Sequence, residues 1–396
     1  MTQQRDLTLL AVGDVMISRP DPVSIFDGVR PMMESADLIF ANLEGACTDR
    51  GVPCAGKREV GSVHQRAPVN SVPAYAEIGS WGLSLANNHM MDYGEEGLVQ
   101  TMDLLAEHGL AHTGAGSTYD EARRAVFMER GGTKIALLGY TCVYPQAGYE
   151  AKADQAGVAT AKVHTAYQPP HNAFYQPGTP AVTVTTPDAA ETTAFLADVR
   201  AAREQADIVV VQMHWGVAGL PRNLGYMKEL GRAAIDAGAA MIVGAHPHIF
   251  LGVELYGGGV IAYSLSHFAF DGSYNFKPGS TPPGRPGFTD SLALTATVRD
   301  NRFQRLAITP VVLDPETKSV QVADEERREA VRASLEQLSH EFGTTFTPEG
   351  RELLLGGPAP GSPSSKRAPE VLADPVFSWS PAMGASVGPN PVKPIM

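Results

Sequence analysis

Short runs of aliphatic and β-branched residues recur along the chain, and most are followed by a stretch with helical spacing. Strands are predicted at 7–14, 38–44, 82–88, 134–140, 207–215, 239–246 and 260–270. Helical patterns lie between them at 94–108, 187–205 and 224–237. This is the alternation of a layered α/β fold. Residues 291–314 read as a hairpin turning at Asp300-Asn301. A later helix over 325–342 carries Val331, Leu335, Leu338 and Phe342 on one face, so it should dock on the main body.

Two regions break the pattern. Residues 143–185 form an aromatic and proline-rich insertion with little periodicity, the size of a binding loop or lid. From 356 to 396 the chain is rich in proline and glycine and reads as an extended tail. The expected organisation is a main domain over 1–315 with the 143–185 insertion, a helical extension packed on it over 316–355, and the 356–396 tail. There is no internal repeat.

Composition narrows the function more than the fold. The 396 residues are 43% hydrophobic and 19% charged, ordinary for a globular enzyme with a sizeable core. A net charge of −12 leaves no electrostatic footprint for nucleic acid or an anionic membrane surface. "MTQQRDLTLLAVGDVM" runs directly into a strand with no room for a signal peptide, and no apolar run is long enough for a membrane span. Free thiols in a reducing compartment are the favoured reading of Cys47, Cys54 and Cys142, a Cys47–Cys54 bridge the alternative. A cytoplasmic protein with neither nucleic-acid nor membrane partners is expected.

Polar residues gather at the C-terminal ends of the predicted strands. "GDVM" supplies Asp14, "NLEG" Glu44, and "NNHMMD" Asn88, His89 and Asp92. "MHWG" supplies His214, "GAHPH" His246 and His248, and "YSLSHFAFD" His267. In an open α/β sheet these ends meet in one crevice. Carboxylate, amide oxygen and imidazole are the ligands of divalent transition-metal sites. Singly, each has a bland reading: Asp14 as a turn or helix cap, "NNH" as a turn, His214 as a hydrogen-bonded core histidine. Six such elements, each at a strand end, make coincidence the strained explanation.

The ordered set "GDVM", "NLEG", "ANNHMMDYGEEGL", "HTGAG", "HWG" and "GAHPHIFLGVELYGGGVIAYSLSHFAF" closely resembles the CapA, or poly-γ-glutamate capsule synthesis, family over roughly residues 8–271. The resemblance implies a calcineurin-like metallophosphatase-type αββα sandwich, two mixed sheets flanked by helices. It also implies one or two divalent ions per chain (Mn, Zn, Co, Fe, Mg or Ca) and no organic cofactor. By motif, the implied ligands are Asp14, Glu44, Asn88, His214, His246 and His248, and His89 matches the acid of the phosphatases. The chain departs from these patterns in four places. Met16 stands where phosphatases have a histidine, which leaves one metal position poorer in ligands. "YSLSHF" replaces the usual "YSLGNF", adding Ser266 and His267, and "VAG" at 217–219 replaces an acidic residue. The membrane anchor of capsule-type members is also missing.

The resemblance, the missing anchor and the extra histidine point first to a soluble peptide-modifying enzyme. Its analogue is the lasso-peptide C-terminal epimerase type, which inverts the last residue of a ribosomal precursor peptide. Such a reaction needs a Lewis acid and proton carriers on both faces of the α-carbon. His89 and His267 are the candidates, with Asp14 or Asp92 as a substitute for either. The alternatives are a metallophosphoesterase or γ-glutamyl amide hydrolase, and a non-catalytic binding protein.

Overall fold

The computed structural model describes residues 6–59, 63–145, 148–170, 175–176, 178–271, 288–314, 316–317 and 319–357. The tail expected from 356 therefore lies almost wholly outside the described residues.

Two sheets form the middle of the molecule. The larger has ten strands and is centred on Leu7–Met16. That strand pairs in parallel with Leu38–Leu43 on one side and antiparallel with Asp290–Arg299 on the other. The smaller has six strands, in which Thr133–Thr141, Ile208–His214 and Met241–Ala245 run in parallel. Both sheets mix parallel and antiparallel pairs, as expected.

Period-two alternation explains the layering. Leu9 and Ala11 face one way and pack with Leu137, Val210 and Val243 of the smaller sheet. Leu10 and Val12 face the other way, with Met33, Tyr75, Leu98 and Leu105 of the covering helices. The outer face of the smaller sheet is covered by Ala189–Arg203 and Gly225–Asp236 through Phe195, Val199, Leu230 and Ala234. Helices, sheet, sheet and helices thus form an αββα sandwich.

Three expectations change. The single strand predicted at 260–270 is two: Gly259–Ala262 joins the smaller sheet and His267–Phe270 the larger. Ser266 between them has a left-handed backbone, φ 69°. Hydropathy cannot show such a crossing, because both halves are equally buried. The segment 316–355 is not only helical. Glu325–Ser339 docks through Val331 and Leu335, but Val320–Val322, Thr345–Glu349 and Glu352–Gly356 extend the larger sheet. The insertion at 143–185 contains an antiparallel ribbon, Val163–Gln168 with Val182–Pro187. Its first strand is mostly exposed, so no amphipathic pattern marked it. Cys47, Cys54 and Cys142 are free thiols, and among the described residues no helix is long and apolar enough to cross a membrane.

Candidate metal centre

Parallel pairing aligns strand ends, and here it aligns chemistry. Asp14 sits opposite Asn42 in one neighbouring strand and opposite His267 in the other. His214 ends its strand beside Ala245, one residue before His246. The backbone turns sharply after Ala245, with φ 93° at His246 and 58° at His248, so that both imidazoles face the same crevice.

All nine residues singled out in the sequence come to one place. Asp14, Glu44, His248 and His267 form one group with ligand atoms within 4.8 Å of one another, and Glu44, His214 and His246 form a second. Glu44 belongs to both. His214 Nε2 lies 3.9 Å from Glu44 Oε1, and His248 Nδ1 lies 3.9 Å from Oε2 and 3.6 Å from Asp14 Oδ2. Asn88 Oδ1 joins at 2.7 Å from His214 Nε2.

The donor set fits a divalent cation. Glu44 is fully buried, and neither of its oxygens finds a hydrogen-bond partner among the described residues. An ionised carboxylate held that way is costly without a cation. Burial, then the Asp14 charge, pushes the Glu44 carboxyl well above the usual carboxylate range. Burial, aided by neighbouring imidazoles, holds His214, His246 and His267 well below the ordinary value. Neutral imidazole is the form that binds metal. Nitrogen and oxygen ligands about 2.0–2.2 Å from a common ion stand some 3–4 Å apart, close to the observed spacings.

His89 approaches Glu44 Oε1 through Nε2 at 4.0 Å, while its Nδ1 meets Asp92 Oδ2 at 2.7 Å. Asp92 is therefore behind the imidazole rather than among the ligand groups. Burial holds His89 below the ordinary imidazole value against the opposing pull of Asp92. Burial alone would raise the Asp92 carboxyl, but its hydrogen bond and charge interaction with His89, with help from Lys57, bring it below the usual range. His267 stacks on His248, ring centroids 4.3 Å apart, and on Phe270 at 4.2 Å. His267 stands opposite Asp14 on the adjacent strand, and Met16, two residues after Asp14, is buried in the core.

Five partners escaped the sequence reading. Asn42 Nδ2 donates to Asp14 Oδ1 at 2.8 Å, and Asn87 Nδ2 donates to Asn42 Oδ1 at 3.2 Å. Asn42 is the penultimate residue of the strand Leu38–Leu43 and stands two residues before Glu44, which follows that strand directly, so it was open to notice. Lys57, on a short helix, and Gln65 and Tyr149, on loops, surround Asp92 and His89 from stretches with no motif.

The family model for "Bacterial capsule synthesis protein PGA_cap" matches residues 8–272. The chain belongs to this family. Within it, the chain is 30% identical over 309 residues to the PGA biosynthesis protein CapA of Bacillus subtilis (strain 168), covering 76% of this chain and 70% of that one. A probable polyglutamine synthesis accessory protein of Mycobacterium tuberculosis (strain H37Rv) is 27% identical over 335 residues, covering 82% and 78%. Among solved structures, TT1561 of Thermus thermophilus aligns with a TM-score of 0.38 at 8% identity, covering 81% of this chain and 99% of that one.

Proposed function

We propose that this PGA_cap member is a divalent-metal-dependent enzyme that epimerises the C-terminal residue of a peptide by removing and returning its α-proton. The observation that carries this reading is a pair of buried imidazoles beside one buried carboxylate. His89 lies 4.0 Å from Glu44 Oε1, and His267 belongs to the group of Asp14, Glu44 and His248, stacked on the His248 ring that lies 3.9 Å from Oε2. Asp14, Glu44, Asn88, His214, His246 and His248 are the residues that would hold the ion, which supplies Lewis acidity to the carbonyl beside the reacting carbon.

The rest falls to the chain. Asp92 holds His89 so that Nδ1 donates, and Nε2, which meets the Gln65 amide at 3.3 Å, is the unprotonated nitrogen that takes the α-proton once that contact gives way. His267, in its imidazolium form, gives a proton to the opposite face of the same carbon, which leaves His89 protonated and His267 neutral until exchange with solvent resets both, and the roles exchange in the reverse direction. One C–H bond breaks and one forms, so the reaction is redox neutral. The partner on this reading is the C-terminus of a peptide, with no part for nucleic acid or membrane, in the cytoplasm. Incubation with a precursor peptide in deuterated water should place deuterium at one α-carbon. His89→Ala should slow this about 10²–10⁴-fold, and absence of exchange on every peptide offered rejects the reading.

A second reading is favoured by the sharing of Glu44 between two ligand groups. Two ions, if held by these two groups, would supply activation of water for hydrolysis of an amide or phosphate ester. The names of the relatives, PGA biosynthesis and polyglutamine synthesis, point to the amide of an amino-acid polymer. His267 is then a ligand rather than a proton carrier. Metal analysis of His267→Asn separates the two: an unchanged ion count supports the proton carrier, and loss of one ion per chain supports hydrolysis.

A further inference from the structure

Lys57 is on the short helix Ala55–Glu59, in a stretch without any recognisable motif, yet its side chain is only 5% exposed. Its ammonium lies 2.5 Å from the Asn88 carbonyl oxygen, 2.5 Å from Asp92 Oδ1 and 3.1 Å from His89 Nδ1. Asp92 Oδ1 also accepts from the Tyr149 hydroxyl at 2.7 Å. Its other oxygen, Oδ2, accepts from the Gln65 backbone N–H at 2.8 Å and meets His89 Nδ1 at 2.7 Å.

Four donors thus occupy the roughly four lone-pair positions of one ionised carboxylate. An imidazole nitrogen 2.7 Å from such an oxygen carries a proton, because two bare acceptors at that distance repel, and the Lys57 ammonium 3.1 Å away directs its protons to its two shorter contacts, Asp92 Oδ1 and the Asn88 carbonyl, rather than to that nitrogen. In the neutral ring Nε2 is then bare and faces Glu44. Lys57 and Tyr149 do not touch Nε2. They hold the far oxygen of Asp92, so that the near one is aimed at the ring.

We propose that Lys57 is a positioning residue which, with Tyr149, fixes His89 as the Nδ1–H tautomer by saturating the far oxygen of Asp92. Through the Asn88 carbonyl it also ties that ring to the neighbouring ligand residue. The proposal rests on the reading of His89 as a proton carrier. It accounts for a buried lysine and a buried tyrosine hydroxyl that the ligand set does not use.

The test is a long-range proton–nitrogen correlation spectrum of metal-loaded protein labelled in its histidines, with His89→Gln used to assign the resonance. Wild type should show the Nδ1–H pattern at His89. Lys57→Met should shift it toward a mixture of tautomers and lower kcat for deuterium exchange about 10–100-fold with KM nearly unchanged. Tyr149→Phe should move both readouts in the same direction by less. An Nδ1–H pattern intact in either folded variant overturns the proposal. If Lys57→Met does not fold, Tyr149→Phe decides alone. If no peptide exchanges deuterium, the epimerase reading fails, while the spectra still decide the role of Lys57.

Discussion

Glu44 concentrates the energetics of the centre in one side chain. On the proposed ligand set its charge is costly in the metal-free protein and needed in the loaded one, so Glu44→Gln should act with opposite signs on the two. Metal affinity, measured by calorimetric titration, should fall by about 100-fold or more, since even outer partners of ligands are worth 10–100-fold. The chelator-treated variant should resist denaturant better than chelator-treated wild type. A variant weaker in both states contradicts this account.

The buried imidazoles add a pH dependence whose sign can be worked out. Burial holds His89, His214, His246 and His267 below the ordinary 6.5. Below 6.5 the unfolded chain therefore binds more protons than the native one, and stability rises with pH through that window. Glu44, raised from 4.5, acts in the opposite sense above 4.5. His112, also lowered by burial, and Glu191, raised by it, join the two sides, and five groups against two make the metal-free protein lose stability as pH falls from about 7 to 5. Denaturant midpoints across that range measure the slope, and a flat profile counts against it.

At the scale of elements, the centre depends on how closely the Leu7–Met16 strand approaches the turn before His267. A Cβ on Gly13 would sit 1.7 Å from the Ser266 carbonyl oxygen, and Asp14 N–H donates to that same oxygen at 3.0 Å. Gly13→Ala should therefore push the two strands apart, destabilising by about 1–3 kcal/mol and weakening metal binding along with it. Thermal melts and titrations of the variant test this, and full metal affinity would show that the approach is not needed.

The strand ends were legible because parallel pairing puts consecutive C-termini on one edge; hence Asp14, Glu44, Asn88 and His214 could be read in order. His267 could be named but not placed, since its role depends on which sheet receives it and the pattern of 260–270 is apolar throughout. Lys57 and Tyr149 were illegible for a different reason. They meet Asp92 from 35 and 57 residues away in sequence, on segments whose periodicity carries no sheet or helix signal.

Over the whole molecule, the centre lies where the two sheets meet and draws on both. Asp14, Glu44 and His267 come with the larger sheet, and His214, His246 and His248 with the smaller. An ion bound there links the halves of the sandwich, so its removal should register as a loss of global stability rather than local fraying. With free metal at 100 times its dissociation constant the expected difference is about 2.7 kcal/mol. Differential scanning calorimetry with and without chelator measures it, and identical melting curves would sever the link.

The left-handed backbone at His246 and His248 has a consequence for how such a chain ages. A histidine at φ 93° occupies a conformation that glycine adopts freely, and residues held in such regions cost roughly 1–3 kcal/mol. Mutational drift alone would favour glycine at position 246, since the change relieves the backbone. The imidazole is retained against that pressure only while binding is selected. Members of the lineage that have lost the chemistry should accordingly lose this side chain early. In the laboratory, His246→Gly should bind metal poorly yet, free of metal, melt above the metal-free parent.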